Sequence, residues 1–102
     1  MIKIRIHSDR THFRMDVRGH AEYAPKGEDI VCAAVSAITH TMCVYTMESI
    51  HTGDHVVLKD ENGWIYLECD TDEYALEALK AMTQGLSQIQ ENYPDNVTIE
   101  HD

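Results

Sequence analysis

The chain has 102 residues, enough for one domain with a core of its own. It carries 18 acidic and 8 basic side chains, a formal charge of −10, with 43% hydrophobic residues. That composition excludes a disordered chain, and the charge argues against direct nucleic-acid binding, which needs clustered Lys and Arg.

Residues 2–7 alternate, Ile2, Ile4 and Ile6 against Lys3, Arg5 and His7, which predicts a half-buried strand. Residues 12–18 repeat the alternation with Phe13, Met15 and Val17. Ser8-Asp9-Arg10-Thr11 between them reads as a hairpin connection. Residues 19–28 carry two Gly and one Pro with no sustained period, which predicts a loop. A long helix is expected from about residue 30 to 51, with Asp29 as N-cap and Gly53 as the residue past its end. Its apolar stripe is Val31, Ala34, Val35, Ile38, Met42 and Tyr45.

Residues 55–59 and 64–69 predict a second hairpin, with Asn62-Gly63 as its turn signal. A second helix follows. Asp70 is its expected N-cap, with Glu73 three residues on as in a capping box. Leu76, Leu79, Met82, Leu86, Ile89 and Tyr93 form its core stripe, Pro94 stops it, and Val97 and Ile99 suit a short last strand. The order β-β-α-β-β-α, with that last β, predicts an α+β two-layer sandwich. A mainly antiparallel sheet would carry two helices on one face. The whole chain, 1–102, is one domain.

No run approaches ~18 consecutive apolar residues, so no membrane-spanning helix is expected. The alternating start lacks the uninterrupted apolar region of a signal peptide. The expected compartment is the cytoplasm. The three cysteines, Cys32, Cys43 and Cys69, fit neither a disulfide framework nor a zinc finger. Seven His invite a metal, but no ligand spacing supports one. His51 and His55 straddle Gly53, so they do not form a helical pair. Neither a metal nor a cofactor is expected.

Charge is uneven. Residues 1–20 hold five basic and two acidic groups, and residues 48–102 hold two basic and thirteen acidic, net −11. Such a surface keeps a small protein soluble, and it also attracts a basic partner.

The stretch Gly27-Glu28-Asp29-Ile30-Val31-Cys32-Ala33-Ala34-Val35-Ser36 carries the most chemistry. With Asp29 as N-cap, Cys32 is the third helical residue, beside free amides and the positive end of the dipole. Helix starts of this kind favour thiolates. The small Ala33 and Ala34 leave room for a substrate, and Ser36 lies one turn on, on the same face. A thiolate nucleophile needs an imidazole partner, and His20, on the loop leading into the helix, is the candidate. The Asp29 carboxylate is within reach of both the helix amides and that imidazole. Spacing alone favours a plainer account of each residue: Cys32 as a packed thiol and His20 as a surface loop residue.

Taken together, Gly19-His20-Ala21 and Gly27-x-Asp29-Ile30-Val31-Cys32-Ala33-Ala34-Val35-Ser36 resemble the signature of the ribosomal-processing cysteine proteases, the Prp family. The resemblance is dense over residues 19–37 and extends in element order over nearly the whole chain. It implies a small bacterial enzyme that removes the N-terminal extension of the twenty-seventh large-subunit ribosomal protein before assembly. It implies Cys32 as nucleophile and His20 as general acid and base. Asp29, Ser36 and Ala33 would support them or bind substrate. Gly19 and Gly27 would flank a mobile loop in which Tyr23 and Pro25 act as a lid. It implies a homodimer. The partner would be the N-terminal segment of a basic ribosomal protein, with no nucleic acid and no membrane. The alternatives are a non-catalytic ribosome-associated binding module and a thiol redox sensor.

Overall fold

The computed structural model describes the backbone of all 102 residues and the side chains of all but Asp54 and His55. Its elements are β1 (Ile2–Ser8), β2 (His12–Arg18), α1 (Ile30–Glu48), β3 (Thr52–Glu61), β4 (Trp64–Thr71), α2 (Glu73–Asn92) and β5 (Val97–His101). They form the expected α+β sandwich. One five-stranded sheet has the order β3-β4-β2-β1-β5. Its pairs are antiparallel except β1 with β5, which are parallel.

Register places the alternating apolar side chains in rows. Ile6 pairs Met15, Met15 pairs Leu67, and Leu67 pairs Leu58. The next row runs Ile4, Val17, Ile65. Ile4, Met15 and Leu67 are fully buried, each worth about 1.5–3 kcal/mol of apolar transfer. Val31, Val35 and Met42 of α1 and Leu79 and Leu86 of α2 belong to the same core. The opposite face of the sheet is polar. Arg5 and Arg14 both donate to the Asp102 carboxylate, at 3.1 and 3.3 Å. The Trp64 ring has the Arg18 guanidinium at 4.7 Å and the Lys59 ammonium at 5.2 Å, and its Nε1 donates to Asp16 at 3.1 Å.

Several boundaries differ from the expected ones, and β3 and β4 run longer, to Glu61 and Thr71. Helix α1 ends at Glu48, with Ser49 as C-cap. Gly53 lies inside β3, not past a helix end. The Thr52 hydroxyl explains this, because it donates to the carbonyls of Thr46 at 2.7 Å and Ser49 at 3.1 Å and so closes the helix end without a glycine. The N-cap of α2 is Asp72, whose side chain accepts from Tyr74 and Ala75 amides. Asp70 instead pairs with His12 as part of β4, and no capping box with Glu73 forms. Finally, α1 is long and apolar enough to cross a membrane by length and composition alone. It has no Lys, Arg, Asp or Glu between Asp29 and Glu48, although Ser, Thr and His interrupt its apolar runs. The buried threonines Thr39 and Thr46 donate to carbonyls of their own helix, which lets them sit in the core.

Candidate active site

Two elements deliver the predicted pair. Asp29 caps α1, accepting the Val31 amide at 3.0 Å and the Cys32 amide at 2.9 Å on Oδ1. Cys32 is therefore the third residue of the helix, as the spacing predicts, and its side chain is half-buried. The second Asp29 oxygen accepts the amides of Tyr23 at 3.0 Å and Ala24 at 3.3 Å. These bonds, led by the one from Cys32, hold the Asp29 carboxyl below its ordinary pKa. The carboxylate thus ties the loop to the helix and is not shared with His20. The amides of Val31 and Cys32 are spent on this cap, and the Ala33 amide donates to the Asp29 carbonyl at 3.1 Å.

The loop from Gly19 to Asp29 has further anchors. Ala21 is buried, and its carbonyl accepts from Asn96 Nδ2 at 2.9 Å. Tyr23 sets its ring edge-on to Tyr93, with centroids 5.3 Å apart. The Gly19 amide donates to the Gly63 carbonyl at 2.9 Å, which joins the loop to the β3–β4 turn. Gly19 has φ +95°, and a methyl there would lie 2.4 Å from the Met1 carbonyl oxygen, so only glycine fits.

A cleft runs to both sides of Cys32. One arm, about 330 Å³, extends along α1 toward β3, over an apolar floor that includes Ile2, Val17 and Val35. It reaches His40 and Asp60, whose side chains are joined at 3.0 Å. The other arm, about 520 Å³, runs beneath the loop and is lined by Ala24, Gly27, Asp29 and Ala33 among others. Cys32, His20, Ser36 and Asn62 border both arms.

The structure therefore gathers Cys32, His20, Asp29, Ser36, Ala33 and Gly27 at one cleft, with Gly19 lining its first arm. Tyr23 and Pro25 do not line it. Tyr23 is turned onto Tyr93, and the Pro25 carbonyl accepts the Glu28 amide at 2.9 Å. Asn62 and Gly63 complete the wall. The sequence marks both only as a turn, because what brings them to His20 is the pairing of β4 with β2.

The other two thiols differ in kind. Cys43 and Cys69 are buried, and burial first of all, with nearby carboxylates adding to it, pushes each up to about 11. Such thiols are inert at neutral pH. No cluster of three metal-ligating side chains occurs among the described residues, and the His55 side chain lies outside them.

A thiol at a helix start, facing a cleft that an imidazole also borders, is the arrangement of a cysteine hydrolase. Comparison with known proteins narrows this class. Residues 1–98 match the family described as cysteine protease Prp, and the chain belongs to that family. It is 50% identical over 38 residues to the ribosomal processing cysteine protease Prp of Mycoplasma pneumoniae. That match spans 37% of this chain and 34% of the relative, so the chain matches about a third of the relative's length. Two solved structures of the essential ribosomal processing protease Prp from S. aureus share the fold. One, with a covalently linked product peptide, has a TM-score of 0.79 at 24% identity; the other, with a substrate peptide, has 0.70 at 22%. Both comparisons cover 100% of each chain.

Proposed function

We propose that this chain is a cysteine endopeptidase that trims the N-terminal extension of the twenty-seventh large-subunit ribosomal protein, with Cys32 as nucleophile and His20 as general acid and base. The observation that carries the proposal is the convergence of both side chains on one cleft with two arms, the shape an extended peptide needs on either side of a cut. Family membership and the peptides bound by the S. aureus relatives support it.

The chemistry then runs as follows. The Cys32 thiolate attacks the scissile carbonyl carbon, forming the S–C bond. The C–N bond breaks, and the leaving amine takes a proton from the His20 imidazolium. Water adds to the thioester carbonyl, giving its proton to His20, and the S–C bond breaks to return the thiolate. The Val31, Cys32 and Ala33 amides are already bonded to Asp29. Oxyanion donation therefore falls to other groups at the cleft, and the Ser36 hydroxyl and Asn62 carboxamide are the uncharged polar side chains bordering both arms.

The net charge of −10 suits a basic substrate and repels nucleic acid. The protein works in the cytoplasm as a homodimer. Ile30, Val44 and Met47, exposed apolar residues of α1, supply surface for the second copy.

The test is cleavage of a peptide spanning the extension junction. The parent cleaves it, and Cys32→Ala retains the fold and loses cleavage to background. Full cleavage by Cys32→Ala would remove Cys32 from the mechanism. Binding without cleavage by the parent would favour a ribosome-associated module. Peroxide-driven loss of the Cys32 thiol without cleavage would favour a redox sensor.

A further inference from the structure

We propose that the β3–β4 turn positions the general acid and base: Gly63 is the seat of the His20 imidazole, and its missing side chain sets where that ring stands in the cleft. The proposal rests on the protease reading above, and it makes Gly63 a positioning residue that acts through His20.

Three observations carry it. A methyl group at Gly63 would lie 3.1 Å from His20 Nε2, 3.6 Å from Cε1 and 3.8 Å from Cδ2, so one side of the ring rests against the glycine. The Gly63 carbonyl accepts the Gly19 amide at 2.9 Å, which locks the turn to the residue preceding His20. Gly19 in turn stands so close to the Met1 carbonyl that a methyl on it would be 2.4 Å away. The loop backbone is thus held from two sides at Gly19. A side chain at position 63 is therefore taken up by the imidazole, which gives way by a few tenths of an ångström.

Gly63 also has φ +75°, whereas Asn62 keeps a negative φ. The turn therefore needs a left-handed residue at 63 for its own reasons, and a substitution has two effects to separate. Their directions in space separate them. An L side chain at 63 points at His20. A D side chain satisfies the same φ and takes the other Cα–H direction, which the L side chain does not use.

The experiment compares the parent, Gly63→Ala, and a semisynthetic chain with D-alanine at position 63. The readouts are junction-peptide cleavage and the NMR contact between the His20 ring protons and the Gly63 Hα. Gly63→Ala is expected to lower kcat about tenfold with KM within about twofold, since small misplacements of a reacting group cost rate rather than affinity. The D-alanine chain is expected to lose clearly less kcat than Gly63→Ala. If Gly63→Ala does not fold, Gly63→Asn carries the same Cβ and adopts positive φ more readily. Parent-level kcat in the L variant, or equal losses in the L and D variants, overturns the proposal. Absence of the ring contact in the parent overturns it whether or not the peptide is cut. A parent that shows the contact and cuts no peptide supports the seat and removes the protease reading.

Discussion

The Asp29 carboxylate accepts the Cys32 amide at 2.9 Å while its other oxygen holds the Tyr23 amide at 3.0 Å. One side chain therefore fixes both the start of the thiol-bearing helix and the course of the loop that carries the imidazole. Asp29→Ala removes four acceptor contacts at once. It is expected to lower Tm by several degrees and to increase backbone amide exchange at residues 22–24, read by hydrogen-exchange mass spectrometry. Unchanged exchange there would show that other anchors suffice.

The same carboxylate gives the acid limb of the stability curve a cause. Its pKa is depressed in the folded state, chiefly by the Cys32 amide. Its contribution is therefore fully present above the ordinary Asp value of about 3.9, and it is lost as pH falls through the lower folded value. Asp72 is depressed likewise, first by the Ala75 amide. Tm measured from pH 6 down to 2 should fall steeply below about pH 4 in the parent. The fall should be shallower in both Asp29→Asn and Asp72→Asn.

His20→Ala is expected to reduce kcat by about 10²–10⁴-fold, the usual share of a positioned acid–base group, with the fold intact by circular dichroism. Stopped assays with junction peptide give the rate. A loss under about threefold would move the proton-transfer role elsewhere.

The thiols should separate by reactivity. Cys43 and Cys69 are pushed up to about 11 by burial, so at pH 8 both stay protonated and covered. Iodoacetamide at pH 8 is expected to modify one thiol per native chain, mapped to Cys32 by mass spectrometry, and three in denaturant. Equal native labelling of all three would contradict the core placement.

Gly19 and Gly27 both have positive φ, yet they should respond differently to alanine. At Gly19 the added methyl also meets the Met1 carbonyl at 2.4 Å, whereas at Gly27 it meets nothing within 4 Å. Gly27→Ala should cost about 1–2 kcal/mol, the left-handed penalty alone. Gly19→Ala should cost clearly more. Urea midpoints of the two variants rank them.

Much of this architecture is visible in the residue order. The alternation of Ile2, Ile4, Ile6 and of Phe13, Met15, Val17 encodes two strands with one buried face each. Asp29 marks the start of α1 because no other capping residue stands beside the apolar stripe. At α2, two aspartates compete, and local chemistry cannot choose between them. The pairing of Asp70 with His12 across the sheet decides for Asp72. The end of α1 is misread because a threonine three residues past its cap closes it, where sequence rules look for glycine. Cys32, His20, Ser36 and Asp29 are readable as a site only through the family signature that gathers them in one stretch of 17 residues, since spacing alone favours a packed thiol and a surface imidazole. Asn62 and Gly63 are not, because only the strand order brings a turn from the other half of the chain against His20.

Trp64 is the only tryptophan in the chain, and it follows directly on Gly63. Flanked by the cations of Arg18 and Lys59, its indole has an excited state tuned by two charges. The protein thus carries an intrinsic optical reporter on the polar face of its sheet, across the strands from the cleft. Unfolding, which parts the indole from both cations, can be followed by the colour of emitted light, with no dye attached.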